Sequence, residues 1–291
     1  MSLEKELKVS DLRSKLTQTL WKTGFTPRLL RRVGSRGRFA LAMHGVSPEF
    51  DPTMPAFVQP HHTAEEMRLT LAWLRQYFAI LNPEQYLYTD EPGLLLTFDD
   101  GFSNNAEVLL PILEEFEAPA VFFVTLQHIL NPKDWLPATR QLVRQVWEDE
   151  KAVPETTAHD FFDGMSTEKL QLCANHPLVT IGSHSIAHSF LSKCSLSEQE
   201  EEIAGSKRML EELIGMPVEL FAYPTGDYDQ RAVDQVRQAG YKAAFAVSRL
   251  KYGALQYEIP RIGLYSSEPS YLGLKLSGLY QPALKGKIIE K

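Results

Sequence analysis

The stretch Leu94–Gly101 most constrains what this chain can fold into. It reads Leu-Leu-Leu-Thr-Phe-Asp-Asp-Gly, an apolar run closed by a turn signal, which predicts a fully buried β-strand. Two adjacent carboxylates, Asp99 and Asp100, stand where that strand ends. Like charges at the edge of a core repel one another and lose solvation, so a cation beside them would remove a cost. A helix cap requires only one Asp, and we therefore interpret this strand end as a candidate site.

Apolar strands alternate with helical patterns over most of the chain, and this alternation predicts a parallel sheet. Polar side chains follow strand after strand, and a barrel brings the carboxyl ends of all its strands to one rim. The sequence therefore favours a closed or nearly closed parallel barrel, with an open doubly wound sheet as the alternative. Including the strand that ends at Asp99, seven strands are predicted; the others cover residues 39–45, 120–125, 178–183, 219–223, 243–248 and 258–264.

Three segments are predicted: a basic helical arm over 1–37, a barrel over 38–268 with a helical insertion at 126–175, and a C-terminal tail over 269–291. Residues 1–40 hold ten Lys and Arg against three Asp and Glu, which gives this segment a net charge of +7. Since the whole chain has a net charge of −7, the rest of the chain carries −14. Such an arm could favour peripheral contact with membrane surfaces or polyanions. The simpler interpretation, which we favour, is a solvated helix that packs on the acidic body. Nucleic acid is not an expected partner of so acidic a body.

The expected location is cytoplasmic. No apolar run approaches the roughly 20 residues of a membrane span, and the N-terminus lacks the apolar core of a signal peptide. The two cysteines, Cys173 and Cys194, have no close spacing and do not indicate a disulfide framework.

A second polar cluster follows the predicted strand at 178–183. His184 and His188 are four residues apart, so on a helical turn they would share one face. Two imidazoles plus a carboxylate from elsewhere form the ligand set of a catalytic zinc site. Either cluster alone has an ordinary structural explanation, as capping or core residues. Because both begin where a buried strand stops, a joint metal site is the better interpretation.

Thr97–Gly101 and His184–His188 resemble the first two motifs of the polysaccharide deacetylase family, also called the NodB-homology family or carbohydrate esterase family four. The resemblance covers about residues 38–265. It implies an α/β fold, a distorted parallel (β/α)7 barrel, to which the helical arm is appended. It also implies metal-dependent hydrolysis of N-acetyl, less often O-acetyl, groups on sugars.

By this resemblance, Asp100, His184 and His188 would hold a divalent metal, which we expect to be Zn²⁺. Asp99 would be the general base that takes a proton from the attacking water. The hydroxyl of Ser185, between the two histidines, is expected to brace the turn.

The third motif departs from the family pattern, because Ala222 stands where the family usually has Arg. The Ala-Tyr-Pro sequence here resembles that of a subgroup of the family. The backbone N–H near Thr225 could serve the oxyanion, and Tyr223 is a candidate for contact with the substrate. Arg261, in the last strand, is the candidate for orienting the base in place of the missing Arg. Its alternative interpretation is a surface residue.

The last motif of the family, Leu-x-His, which supplies the general acid, is absent because no histidine follows His188. His44, at the end of the first strand, resembles the N-terminal His of the exopolysaccharide-processing subgroup and is our candidate general acid. It could instead be an ordinary core histidine. Trp135 matches an aromatic residue of the same subgroup, and either stacks on a sugar or anchors the insertion.

The sequence thus predicts a metal-dependent carbohydrate deacetylase that acts on an acetylated amino sugar in a glycan or glycoconjugate. One alternative is a catalytically impaired, carbohydrate-binding barrel, which the missing Arg and Leu-x-His favour mildly. The other alternative keeps the chemistry but changes the substrate to a formylated or non-sugar amide.

Overall fold

The computed structural model of the chain describes residues 18–247 and 251–290. Seven of the strands in these ranges form a closed parallel barrel in the order β1-β4-β5-β6-β7-β8-β9, in which β9 pairs with β1. The predicted closed barrel is confirmed, and the open sheet is wrong. β2 and β3 form a separate two-stranded parallel sheet. The strands are β1 Arg38–Met43, β2 Val46–Ser47, β3 His62–Thr63, β4 Gly93–Asp100, β5 Ala120–Val124, β6 Val179–Ser183, β7 Leu220–Ala222, β8 Ala243–Ala246 and β9 Ile259–Gly263.

Helices fill the connections between the strands. The helix after β4 contains a π-helical turn, Asn105–Leu109, before it continues as an α-helix. The Thr63-Ala-Glu-Glu66 sequence is typical of a capping box and forms one, because the Thr63 side chain accepts from the Glu66 amide and the Glu66 side chain accepts from the Thr63 amide. The α-helices are Phe25–Gly34, Ala64–Leu74, Pro83–Tyr88, Leu110–Glu115, Leu126–Leu130, Pro137–Val143, Glu155–Phe161, Thr167–Ala174, Leu196–Glu200, Ser206–Ile214, Gln230–Gln238 and Pro269–Leu276.

The predicted helical arm over 1–37 is seen only in part, since residues 1–17 lie outside the described residues. Residues 18–22 are helical, and a second helix starts at Phe25 after Gly24, whose φ of 74° is left-handed. This helix packs against the helix Pro269–Leu276 of the predicted tail segment. In the part of the chain that the structure describes, no helix is long and apolar enough to cross a bilayer.

Side-chain alternation along the strands divides the core into two layers. On β4, Leu95 points into the barrel and joins the cluster there, whereas Leu94 and Leu96 pack outward beneath the helices. Both faces are buried, which is why the sequence of β4 is continuously apolar rather than alternating. The same alternation carries Thr97 and Asp99 inward, toward the carboxyl end of the barrel.

The insertion between β5 and β6 carries four short helices with their own apolar cluster. Trp135, Val143 and Phe162 are central members of this cluster. Helix Pro137–Val143 of the insertion begins at a proline, whose fixed φ suits a first helical position.

The C-terminal tail, in which the sequence shows no informative pattern, closes the amino end of the barrel. Leu284 exchanges two backbone hydrogen bonds with Arg38, each 3.0 Å long, at the start of β1. The amides of Ile288 and Ile289 donate to the carbonyl of Leu87 at 3.1 and 3.0 Å. Their side chains pack against the cluster inside the barrel, so the tail seals the end opposite the carboxylates.

Candidate metal centre

Asp99 and Asp100 both reach the carboxyl rim because the backbone turns between them. In a regular strand adjacent side chains point to opposite faces. Asp100, however, has a φ of 77°, and Gly101 follows at 76°, so the chain leaves the extended conformation at the second carboxylate. A left-handed conformation is costly for a non-glycine residue and is often found at functional sites. Neither carboxylate caps the helix that follows, since the turn at Asn105 has no side-chain cap.

Arg261 lies inside the barrel and binds the Asp99 carboxylate with both terminal nitrogens. The distances are 2.6 Å to Oδ1 and 2.7 Å to Oδ2, and the same guanidinium donates to Thr97 Oγ1 at 2.8 Å. Both partners are buried, at 3% exposure each. Burial alone would raise the pKa of Asp99, but the positive charge of Arg261 and the nearby His184 hold that pKa at about 2. The expected contact between Arg261 and the first carboxylate is therefore present, and Arg261 is not a surface residue.

The second carboxylate faces the two histidines instead. Asp100 Oδ1 lies 3.7 Å from His184 Nε2 and 3.4 Å from His188 Nε2, and the three candidate ligand atoms all lie within 4.8 Å of one another. Asp100 Oδ1 is buried and has no hydrogen-bond partner among the described residues. An unpaired buried carboxylate oxygen is costly, and one carboxylate plus two imidazoles suits a divalent cation such as zinc. The residues present therefore fit a metal ion.

His184 is held with one ring nitrogen toward this cluster. Its Nδ1–H donates to the carbonyl of Ala222 at 2.8 Å, which leaves the lone pair of Nε2 facing Asp100. A hydrogen bond of this kind sets the tautomer and the orientation of a metal-ligating histidine. Burial lowers the pKa of His184 to about 4, even though Asp99 acts to raise it. The imidazole is thus neutral at physiological pH, as a ligand must be.

The segment from His184 to His188 is not helical, which corrects the expectation of a shared helical face. Ser185 and His188 have left-handed φ values of 68° and 57°, and the turn brings the two rings to 5.0 Å between centroids. The hydroxyl of Ser185 accepts from the His188 amide at 3.0 Å, so it braces the turn as expected. Glu202 supports the turn from outside by accepting from the amides of Ile186 and Ala187, both at 3.0 Å.

Two supporting residues were missed by sequence reasoning. Glu202 lies in the helix that is capped by Ser195. In sequence, the acidic residues of this helix look like an ordinary solvent-exposed face. His128 lies beneath the site, with Nδ1 at 3.2 Å from the Asp100 carbonyl and Nε2 at 3.1 Å from the Phe162 carbonyl. Its position three residues after the Thr125 strand end is the only sequence signal that could have identified it.

His44 lies at the same rim, as expected for the end of β1. It borders a cleft that also includes Asp100, and its charge is close enough to act on the pKa of Asp99. Two further rings are beside it: Tyr265 is centred 6.5 Å from His44, and His61 is centred 4.8 Å from Tyr265. Burial, followed by the charge of His44, lowers the pKa of His61.

In the third motif, Thr225 is accessible from solvent, whereas the side chain of Tyr223 is not. Thr225 is exposed, with a φ of 56° in the turn after β7. Tyr223 is fully buried, stacks on Tyr228 at 4.2 Å, and donates its hydroxyl to the Tyr257 carbonyl at 3.0 Å. Its amide donates to the Phe245 carbonyl at 3.0 Å. Tyr223 is therefore a core residue, and the expectation that it contacts substrate is wrong because both its donors are already used.

Trp135 likewise belongs to the scaffold. It is 5% exposed, and its indole N–H donates to Asp163 Oδ1 at 2.7 Å. Its ring packs on Phe162 at 5.2 Å between centroids. Of the two predicted roles, the structure supports anchoring of the insertion, because a buried indole cannot stack on a sugar.

An aromatic cleft of about 220 Å³ opens beside Asp100 and His44. Gln59 lines this cleft, but its side-chain amide is already hydrogen-bonded to the backbone of Asp51 and Met54. A larger cavity of about 570 Å³ at the amino end of the barrel contains none of the candidate residues. The apolar walls of the cleft are formed by Phe57, Pro60, Phe102, Leu142, Phe161 and Phe162.

Comparison with known proteins adds a sequence match and a fold match. A family model described as polysaccharide deacetylase matches residues 87–244, more than half of the chain. The Bacillus subtilis protein YxkH, named as a candidate polysaccharide deacetylase, is 22% identical over 152 residues. That match covers 52% of this chain and 43% of YxkH, so it spans less than half of the relative.

Solved structures with the same barrel include two named proteins. IcaB from Ammonifex degensii has a TM-score of 0.61 at 21% identity, covering 83% of this chain and 97% of its own. The Streptococcus pyogenes deacetylase PplD, solved in complex with acetate, has a TM-score of 0.62 at 16% identity, covering 82% and 98%. At these identities the likeness shows the fold.

Proposed function

Since this chain belongs to the polysaccharide deacetylase family, we propose that it is a metal-dependent hydrolase that removes an N-linked acetyl group from an amino sugar in a glycan or glycoconjugate. The observation that supports this proposal most is that the two adjacent carboxylates have different partners. Arg261 binds Asp99 through both oxygens, whereas Asp100 faces His184 and His188 with an unpaired oxygen. One carboxylate is thus kept ionised for proton transfer, and the other is left for a cation.

Asp100, His184 and His188 would hold the metal. A divalent ion, Zn²⁺ in this proposal, supplies Lewis acidity toward the acyl oxygen and toward water. The hydrogen bond from His184 to Ala222 and the Ser185 brace on His188 orient both imidazoles before any ion binds. Such support of the ligands is what gives a metal site its affinity.

Asp99 is the proposed general base that takes the proton of the attacking water. Its two oxygens are oriented by Arg261, so the carboxylate does not have to reorganise during the reaction. His44 is the proposed acid, since it borders the cleft on the side of β1 and can deliver a proton to the departing nitrogen. As the C–N bond breaks, the products are the free amino sugar and acetate.

Thr225 is the proposed oxyanion donor, through its backbone amide. The turn at Thr225 follows β7, across the barrel from β1, so the amide and His44 would approach the acyl group from opposite sides. The aromatic walls of the cleft offer flat apolar surface to the C–H face of a pyranose ring. The basic arm, much of it outside the described residues, is proposed to pack on the acidic body, with peripheral membrane contact as the alternative, and the cytoplasm is the proposed location.

The decisive experiment is acyl release from a panel of N-acetylated saccharides, with and without a chelator, followed by addition of Zn²⁺. Acetate release that is lost with the chelator and restored by the ion is the expected result. Saccharide binding without release would instead favour a non-catalytic carbohydrate-binding barrel. Release only from formylated or non-sugar amides would keep the chemistry and change the substrate.

A further inference from the structure

Tyr265 stands two residues after the end of β9, and its ring lies close to candidate catalytic residues. Its plane is inclined by only 24° to the His44 imidazole at 6.5 Å, within the range of offset-stacked aromatic pairs. The ring of His61 is centred 4.8 Å from the same tyrosine ring with an inclination of 57°. Tyr265 therefore contacts two imidazoles from a distant part of the chain.

Tyr265 can occupy this place because the preceding strand has no side chain at Gly263. A Cβ built on Gly263 would lie 2.6 Å from the Tyr265 hydroxyl oxygen and 2.7 Å from the ring carbon that bears it. Such separations are too short for non-bonded atoms, so any other residue at 263 would push the Tyr265 ring aside. Because Gly263 has no side chain, the Tyr265 ring can fold back over the end of β9.

Among the described residues, neither nitrogen of the His44 ring has a hydrogen-bond partner, in contrast to His184, which is tied to Ala222. Proton delivery requires the donor nitrogen to lie within hydrogen-bond reach of the acceptor, so an unrestrained ring would be a poor acid. The stack against Tyr265 is a contact that can restrict this ring.

We propose that Tyr265 is a positioning residue, which holds the His44 imidazole in the orientation that delivers a proton to the departing nitrogen. This inference rests on the proposed deacetylase function. Tyr265 is also close to the base, since the Asp99 charge, after burial, acts to raise the pKa of its hydroxyl. The ring is 45% exposed, so part of it also faces solvent.

The test compares an amide substrate with an activated ester, whose leaving group needs no protonation. We expect Tyr265→Ala to lower kcat on an N-acetylated chito-oligosaccharide at least about tenfold while 4-nitrophenyl acetate hydrolysis stays within about twofold. Zn²⁺ content and KM should not change. Tyr265→Phe should restore most of the amide activity, because the ring alone does the packing.

Gly263→Ala is a second, independent test, because it displaces the Tyr265 ring without removing it. It should reproduce the selective loss on the amide. In the Tyr265→Ala background it should have little further effect, since the three atoms nearest to the added Cβ all belong to the Tyr265 side chain; this non-additivity identifies the coupling of neighbours. Tyr280→Ala is the matched control, since Tyr280 is 51% exposed and packs on Lys275 in the tail. It should leave both rates unchanged.

Equal losses on both substrates, no loss on either, or additive effects of the two substitutions would overturn the proposal. If the wild-type protein hydrolyses neither substrate, the proposed function fails but the positioning can still be measured. In the chelator-treated protein, the ring proton signals of His44 and His61 should shift in Tyr265→Ala, because the adjacent ring current is lost. Unchanged histidine signals would show that Tyr265 does not hold His44.

Discussion

Arg261 and Asp99 form a two-point ion pair inside the barrel, 162 residues apart in sequence, with contacts of 2.6 and 2.7 Å. The family pattern usually places the corresponding arginine in the third motif, where this chain has Ala222. Here the charge comes from the last strand instead. Because β9 pairs with β1, which pairs with β4, the strand that closes the barrel can reach the carboxylate at its rim.

The first prediction concerns this pair. Asp99→Asn should retain metal and reduce turnover by at least about a hundredfold, the usual scale for loss of a general base. Arg261→Met should lower the free energy of unfolding by about 3 kcal/mol, because it leaves a buried carboxylate unpaired. Turnover and metal content test the Asp99→Asn prediction, and urea denaturation tests the Arg261→Met prediction. Near-normal rates in Asp99→Asn would mean that another residue is the base.

The same pair sets one limit on pH dependence. With a folded pKa of about 2, Asp99 stabilises the fold above its unfolded pKa of 3.8, and that contribution disappears as the pH falls toward 2. Loss of turnover near pH 4 should therefore not follow Asp99, and should instead accompany loss of the metal as His184, whose pKa is about 4, protonates. A rate profile measured together with metal occupancy would show whether the two fall together.

The second prediction concerns the ligands. Asp100→Ala, His184→Ala and His188→Ala should each lose bound Zn²⁺ together with activity, as measured by elemental analysis after dialysis. His176→Ala is the control, because its ring contacts Glu114 away from the site. If the His188→Ala protein kept a full complement of metal, that residue would have to be removed from the ligand set.

The third prediction concerns His44. His44→Ala should keep metal and fold and lose most amide hydrolysis, because an amine needs a proton to depart. An activated ester should lose less. His159→Ala, in which a half-exposed imidazole that contacts Glu107 is removed, should change neither rate. An equal loss on both substrates would make His44 a ligand or a structural residue.

The fourth prediction concerns His62, whose ring is buried and whose Nε2 has no partner among the described residues. Burial lowers its pKa to about 4 from 6.5. The unfolded chain therefore takes up a proton between these values that the folded protein does not, so stability should fall as the pH drops from about 6.5 to 4, by at most about 3 kcal/mol. In His62→Gln this pH slope should be smaller, as denaturation of the chelated protein at both pH values would show.

The fifth prediction concerns the tail. Ile288→Asp would introduce a charge beside the apolar cluster inside the barrel, and we expect it to destabilise the protein by about 1–3 kcal/mol. Leu279→Asp, at a side chain that is 62% exposed, should change stability by less than about 0.5 kcal/mol. Thermal denaturation of both variants compares them directly. Equal effects would mean that the tail does not seal the barrel.

Local patterns predicted much of the fold. Buried strands, the Thr63 cap and the closed barrel all follow from apolar runs and turn signals that short stretches of sequence contain. The contact of Arg261 with Asp99 was predicted from the Arg missing at Ala222 and from the place of Arg261 in the last strand, and Arg261 lies on the inward face of β9. Roles that depend on what surrounds a side chain were harder to predict. Tyr223 and Trp135 look like substrate contacts in sequence, yet both are buried with their polar atoms satisfied.

The sequence by itself determined which chemical groups stand at the ends of the strands, because apolar runs and polar termini are local properties of a chain. Only the tertiary structure decided how those groups are oriented. The left-handed backbone at Asp100 and His188 and the non-helical turn that Glu202 supports depend on contacts between distant segments. Such conformations are intrinsically unfavourable for the residues involved, so no local preference could predict them, and they persist because the closed barrel holds their surroundings in place.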